Sequence, residues 1–186
     1  MEESIKYEIK TWVQMAFYSK KELIEIFCEE MYEPDELNKH DVEQIIDDEI
    51  QKIKREQQTW PQRTDFDKLE DTFIALHNKG IIAIHNAGYT QSNGYDDIME
   101  IYHNAETKEI IIGYCFYHGQ DLERAVQGNG LCLSFGPIIP DEEQIEGPEI
   151  GKTIINELKK SGFTTKWNGT FDDRIIITTI DWKKRI

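Results

Sequence analysis

Apolar residues in the first 79 positions recur every three or four residues, with charged residues between them. This spacing is typical of amphipathic helices and predicts four of them. Ser19 followed by Glu22 is a capping-box pattern that opens the second helix, while Pro61 and Gly80 mark the ends of the third and fourth. The predicted helices cover about 5–17, 19–33, 41–58 and 65–79.

After Gly80 the pattern changes to short apolar runs, several with a period of two. The four predicted strands are Ile81–His85, Glu109–His118, Leu131–Phe135 and Arg174–Trp182. Helices are expected between them at Gln120–Gln127 and Gly151–Ser161, and Asn93–Tyr102 is compatible with a further helix over the sheet. The sequence therefore predicts an α+β fold, with a helical N-terminal part packed on a small, mainly antiparallel sheet of about four strands with interleaved helices.

The length of 186 residues suffices for one hydrophobic core without metals or disulfides. No flexible linker separates the helical part, residues 1–79, from the sheet-containing part, residues 80–186. We therefore predict a single domain over residues 1–186.

The chain is strongly acidic, with 36 Asp and Glu against 21 Lys and Arg and a formal charge of −15. The excess of acidic residues is present in both parts of the chain: residues 1–70 carry 19 acidic against 10 basic residues, and residues 71–186 carry 17 against 11. This charge repels nucleic acid and anionic membranes and attracts basic proteins. We expect a basic protein partner and neither nucleic acid nor membrane, with the oligomeric state open; alternatively, the charge serves solubility alone.

The cysteines Cys28, Cys115 and Cys132 lie far apart in apolar surroundings, which indicates reduced thiols and neither a disulfide framework nor a zinc site. The first residues form no secretory signal, and no run approaches the roughly 20 apolar residues that span a bilayer. The expected location is the cytoplasm.

Four polar residues follow the second predicted strand: His118, Gln120, Asp121 and Arg124. Strand alternation places His118 at the rim of an apolar face, and Asp121 and Arg124 lie three apart on the next helix, close enough to pair. A histidine beside an aspartate is a candidate general base. The structural alternative is that Asp121 caps the helix, Arg124 pairs with an acid, and His118 bonds backbone groups at the strand end.

His85 and Asn86 end the first predicted strand and come near His118 if the two strands are neighbours. Two histidines could hold a metal, but no third residue stands at a ligand spacing, so we expect no metal. The third-ligand candidates are Asp96, Asp97, Glu100 and His103. The loop Asn86–Gly94 lacks the spacing and the lysine of a phosphate cradle, and we expect no cofactor.

Several motifs together resemble a bacterial family catalogued only as a domain of unknown function. They are Thr59-Trp60-Pro61 with Thr64-Asp65, Gly80-Ile81 through His85-Asn86, Gly113-Tyr114 with Phe116-Tyr117-His118 and Gln120-Asp121, Gly130-Leu131 to Gly136, Trp167-Asn168-Gly169, and Arg174 with Trp182 and Arg185. The resemblance covers about the last three quarters of the chain and implies no agreed activity. It suggests a cysteine-rich loop after the His-Asn pair in many members, with a metal or redox role; the loop Ala87–Asn93 here contains no cysteine.

Two functions from different classes follow. The first is a non-catalytic, acidic cytosolic binding protein, such as an immunity protein or antitoxin that neutralises a basic toxin. The second is a small hydrolase-like enzyme that uses a cluster of His85, His118 and Asp121. Ser134 lies within a strand and lacks the Gly-x-Ser-x-Gly elbow, so the sequence supplies no nucleophile for the second function.

Overall fold

The structure is a computed structural model that describes residues 1–186, apart from the side chain of Glu142. Its internal contacts divide the chain into two compact units. The first, here called the N-terminal unit, comprises Met1–Thr64 together with Trp182–Ile186, and the second, here called the sheet unit, comprises Asp65–Asp181. The boundary falls at Thr64, ahead of the predicted change at Gly80, because the fourth predicted helix packs with the strands.

The N-terminal unit is helical. Its α-helices are α1 (Glu3–Met15), α2 (Lys20–Glu25) and α3 (Lys39–Glu56); a π-helical segment, Ile26–Glu30, continues α2, and a 3₁₀ turn, Gln57–Thr59, ends α3. The predicted capping box is present, since Ser19 Oγ accepts from the Glu22 N–H at 3.2 Å and the Glu22 carboxylate accepts from the Ser19 N–H at 2.7 Å.

The last five residues belong to the N-terminal unit. The indole of Trp182 donates to the Met15 carbonyl at 3.3 Å, and Arg185 donates to the Pro61 carbonyl at 2.6 Å. The predicted strand Arg174–Trp182 is therefore too long: β-structure is confined to Ile175–Ile177, and Trp182 belongs to the N-terminal unit.

The sheet unit contains a five-stranded mixed sheet in the order β1-β2-β3-β5-β4. Its elements are α4 (Asp65–His77), β1 (Ile81–Ile84), α5 (Gln91–Asn104), β2 (Gly113–Phe116), α6 (Gly119–Val126), β3 (Leu131–Pro137), α7 (Glu143–Lys160), β4 (Thr165–Lys166) and β5 (Ile175–Ile177), with 3₁₀ turns at Lys108–Ile110 and Pro140–Glu142. β1 and β2 are parallel, and the other three pairings are antiparallel. The predicted α+β class with a mainly antiparallel sheet is confirmed.

Helices cover both faces of this sheet. On one face Phe73 of α4 stacks on His85, and a Cβ added at Gly113 would lie 2.6 Å from Ile150 of α7. We call it the α4–α7 face. On the other face Ile98 of α5 joins a buried cluster with Phe116. As α6 also lies on that side, we call it the α5–α6 face.

Several predicted boundaries are wrong. The second strand is confined to Gly113–Phe116, because the preceding Lys108–Ile110 is a 3₁₀ turn. The stretch Asn93–Tyr102, which is compatible with a helix, lies within the longer helix α5. Helix α7 begins at Glu143, well before the predicted Gly151, since Gly147 and Pro148 lie inside the helix and hide its start from the sequence pattern.

Within the described residues, no helix combines the length and the apolar content that a bilayer crossing requires.

Candidate functional site

Three strands bring polar side chains to one place on the α5–α6 face. Ser134 on β3 stands directly opposite Phe116 on β2, and directly opposed residues of antiparallel strands point to the same face. Arg174 immediately precedes β5, at the level of Ser134 in that register. His118 lies two residues beyond Phe116 in extended backbone, so its side chain points to this face as well.

Helix α6 adds the carboxylate that these groups share. Asp121 is only 1% exposed, and Arg174 binds it with both ends of its guanidinium group, at 2.7 Å to Oδ1 and 3.0 Å to Oδ2. His118 Nε2 lies 3.0 Å from Asp121 Oδ2, and Ser134 Oγ accepts from Arg174 at 3.4 Å. We call the three charged or ionisable residues the His118–Asp121–Arg174 network.

The pKa values of this network follow from opposing effects. Burial alone would raise the pKa of Asp121, but hydrogen bonds from His118 and Arg174 together with the charge of Arg174 outweigh it, and the net shift is downward. Burial likewise opposes the charge of Arg174, yet its hydrogen bond and attraction to Asp121 raise the pKa above its usual value. The network is therefore an ionised, mutually neutralised pair with an imidazole attached.

The neighbours of His118 bear on its tautomer. Its Nε2 faces both the Asp121 carboxylate, which accepts, and, at 3.2 Å, a nitrogen of Arg174, which can only donate. We assign the proton to Nε2, where it makes a charge-assisted bond to the carboxylate, because this Arg174 nitrogen already donates to Asp121 and Ser134. With the proton on Nε2, Nδ1 is a bare acceptor; it is buried, and among the described atoms it has no hydrogen-bond partner.

The loop after β1 closes the start of α6. The N–H groups of Gly119 and Gln120 donate to the carbonyls of Gly88 and Tyr89, at 3.0 and 3.3 Å. These are the groups that a helix N-terminus would offer to a phosphate. Since these N–H groups are already bound by the chain, the start of α6 does not offer them to a phosphate.

His85 lies at the same end of the sheet as His118 but on the opposite face. His85 and Tyr117 directly follow the last register pair of β1 and β2, Ile84 with Phe116. The Tyr117 hydroxyl lies 3.0 Å from His85 Nδ1, and the His85 ring stacks on Phe73 with centroids 4.3 Å apart. Tyr117 is fully buried, which holds the pKa of its phenol well above the usual value. The neighbouring Asn86 is half-buried with a left-handed φ of 49°. The proposed grouping of His85 with His118 and Asp121 on one surface therefore does not form.

Two other predicted residues stay outside the network. Gln120 and Arg124 are exposed on α6, and the guanidinium group bound to Asp121 is that of Arg174. The predicted pairing of Asp121 with Arg124 is therefore wrong. The structural alternative, in which Asp121 caps its own helix, has a weak counterpart in the His118 N–H, which donates to Asp121 Oδ2 at 3.5 Å.

Sequence reasoning missed Arg174 as a member of the network and Ser134 as its hydrogen-bond partner. The sequence pattern predicts Arg174 as the start of a strand, and its signal is a lone charge ahead of a strongly apolar run. The partner 53 positions away could not be identified without the strand register.

The third-ligand candidates Asp96, Asp97, Glu100 and His103 all lie on α5. Among the side chains that the structure describes, no three from His, Cys, Asp and Glu converge as metal ligands would. A metal site has no geometric support in this part of the chain.

A family model described as Domain of unknown function (DUF6891) matches residues 1–186. A search of curated proteins and a search of solved structures find no match. The description of the family names no activity, so the function has to be argued from the side chains.

We expect Arg174→Met to destabilise the protein by about 3 kcal/mol, because it leaves the Asp121 carboxylate buried without its counter-charge. The matched control is Arg124→Met on the exposed side of α6, which should change stability by less than about 0.5 kcal/mol. Urea denaturation of both variants measures the difference. Equal effects would show that the Arg174–Asp121 pair is not a stabilising contact.

Acid should weaken the contribution of Asp121 to the free energy of unfolding. Its folded pKa is lowered, so the stability it adds is fully present above the unfolded pKa, near 4, and is lost as pH falls through the folded value. The free energy of unfolding of the wild type should therefore exceed that of Asp121→Asn by a constant amount near neutral pH and by less below about pH 4. Urea titrations of both proteins across this range test it; a constant difference down to about pH 3 would contradict the lowered pKa.

Proposed function

The chain belongs to the family described as Domain of unknown function (DUF6891), and we propose that it is a non-catalytic acidic protein that binds a basic protein partner in the cytoplasm. The more specific form of the proposal is an immunity protein or antitoxin that neutralises a basic toxin. No nucleic acid or membrane is part of it.

The observation that carries the proposal is the uneven charge of the two units. Residues 65–181 hold 20 acidic against 9 basic residues, a net charge of −11, while residues 1–64 with 182–186 hold 16 against 12, a net charge of −4. Most of the acid excess thus lies on one unit. A unit with this charge attracts a basic protein over distances of about a Debye length and speeds its capture.

The basic residues of the sheet unit are largely engaged already. Four lysines pair with carboxylates of the same unit: Lys68 with Asp65, Lys79 and Lys160 with Glu157, and Lys152 with Glu149. Arg174 is bound to the buried Asp121. Helix α5, in contrast, carries three acidic residues and no lysine or arginine. A partner therefore meets a predominantly negative surface.

The His118–Asp121–Arg174 network supports a structural role for the polar cluster. Its charges neutralise each other, and His118 is only 5% exposed. The network connects α6 to the start of β5, so it fixes the position of the helix. Ser134 accepts a hydrogen bond from Arg174, and among the described contacts no hydrogen bond joins its hydroxyl to His118 as a nucleophile and its base would require.

We expect a basic protein from the source organism to bind with a stoichiometry near one and to be released by salt, since screening weakens exposed charge pairs. The test is affinity capture at low and high salt, identification by mass spectrometry, and reconstitution from purified components. The variant Asp96→Asn/Asp97→Asn/Glu100→Gln should bind more weakly at low salt. Absence of a stoichiometric partner, or an acidic partner whose binding is insensitive to salt, would overturn the proposal. The immunity-protein or antitoxin version further requires that this protein inhibit the partner's activity at a stoichiometry near one.

A second candidate is a small hydrolase-like enzyme that uses His118 and Asp121. One observation favours it: Nδ1 of His118 is a buried acceptor without a partner among the described atoms, in an imidazole oriented by a carboxylate. This enzyme could not include His85 in the same cluster, because His85 lies on the α4–α7 face.

The two candidates differ in what His118→Asn changes. A hydrolase would lose about 100-fold or more of its turnover of ester and phosphoester model substrates, with His85→Asn as the control. We expect instead no turnover above buffer by the wild type and unchanged partner binding by a folded His118→Asn variant. Turnover that depends on His118 but not on His85 would establish the enzyme in place of the binding protein.

A further inference from the structure

One end of the sheet unit carries large apolar side chains that the unit leaves exposed. Ile110, Ile112 and Ile139 are 63%, 50% and 52% exposed. The backbone holds them side by side, since the Ile138 N–H donates to the Ile112 carbonyl at 3.2 Å and Gly113 is the register partner of Pro137. We call these three residues the isoleucine edge.

Backbone hydrogen bonds hold the isoleucine edge in place. The Ile111 N–H donates to the Lys108 carbonyl at 3.0 Å, and the Ile112 N–H donates to the Gly80 carbonyl at 2.8 Å. The alternate residues point inward: Ile111 packs against the buried cluster of the α5–α6 face, and Ile138 is 6% exposed. Scattered exposed isoleucines need no explanation, but adjacent ones fixed by hydrogen bonds on neighbouring segments are typical of a binding surface.

Gly80 allows the segment that carries Ile110 and Ile112 to pack closely against the turn before β1. It has a left-handed φ of 76°, and a Cβ added there would collide with the Ile110 carbonyl and lie 3.7 Å from Ile112. Any side chain at this position would thus push against the segment that carries the edge.

Carboxylates flank the isoleucine edge along the sequence on both sides. Glu106 and Glu109 precede Ile110, and Asp141 and Glu143 follow Ile139. The basic residue of these segments, Lys108, has its ammonium group 5.6 Å over the ring of Tyr102. The edge therefore combines apolar contact area with negative charge at its ends.

We propose that the isoleucine edge is the docking surface for the basic partner, and that the partner presents apolar side chains flanked by lysine or arginine. This inference rests on the proposed function and specifies its site. A second copy of this chain would bring the same acid excess to the contact, and an anionic membrane would be repelled by it. Charge complementarity therefore selects a basic protein over either of these occupants.

The test uses two synthetic peptides of equal length and equal positive charge, one with leucine and lysine alternating and one with serine in place of leucine. The leucine peptide should bind about tenfold more tightly, because it buries apolar area against the edge. The variant Ile112→Ser/Ile139→Ser should reduce its affinity to that of the serine peptide. Titration calorimetry measures the affinities, and circular dichroism verifies that each variant is folded.

The matched control is Ile74→Ser/Ile145→Ser, which removes two isoleucines that are 55% and 79% exposed on α4 and α7. This control should keep the preference for the leucine peptide. If both peptides bind in a salt-dependent manner but Ile112→Ser/Ile139→Ser changes nothing, the docking surface is overturned and the proposed function stands. If neither peptide binds at low salt, the proposed function falls together with its site.

Two further measurements address the other occupants. Sedimentation of the wild type alone should show no self-association through the edge. Self-association that Ile112→Ser/Ile139→Ser abolishes would mean that the edge binds a second copy of the chain. Flotation with phosphatidylglycerol vesicles should leave the protein unbound; binding that depends on the edge would identify a membrane instead. Either result would overturn the inference.

Discussion

The sheet unit depends on how it compensates the buried carboxylate of Asp121. A carboxylate that is 1% exposed is tolerated in the ionised state only if a counter-charge and hydrogen bonds replace the lost water. Here the compensation comes from two other segments: Arg174 before β5 and His118 after β2. One buried charge thereby specifies where a short helix sits relative to two strands. Removing one member of the Arg174–Asp121 pair lowers the free energy of unfolding, because the other charge stays buried without a partner. Well-packed apolar side chains in place of both could hold the same elements together, so the pair serves to specify the position of α6 more than to add stability.

The two histidines illustrate how strand alternation separates residues that look alike in the sequence. His85 follows β1 by one residue, His118 follows β2 by two, and the two strands are parallel neighbours. His85 contacts Tyr117, however, and His118 is one residue further along the chain, where strand alternation turns a side chain to the other face. His85 therefore joins an aromatic environment, while His118 joins an ionic one. Proximity along a sheet edge does not bring two side chains into one site.

Much of the fold could be predicted from local patterns. The capping box at Ser19 and the apolar stripe of α3 are local signals, and both are present in the structure. The start of α7 could not be predicted, since Gly147 and Pro148 are breakers by propensity, and Gly147 is explained by contact with Phe171, 24 positions away. The candidate site was predicted in part for the same reason: Asp121 and His118 are local to each other, whereas their partner Arg174 is set by the pairing of β3 with β5.

The division of the chain has a consequence for the order in which the two units are completed during synthesis. The sheet unit is one continuous segment, Asp65–Asp181, and all of its residues are available once that segment has left the ribosome. The N-terminal unit is discontinuous: residues 1–64 are made before the sheet unit, but Trp182 and Arg185, which bond Met15 and Pro61, are made after it. Of the two units, the one whose synthesis begins first is thus the one that is completed second.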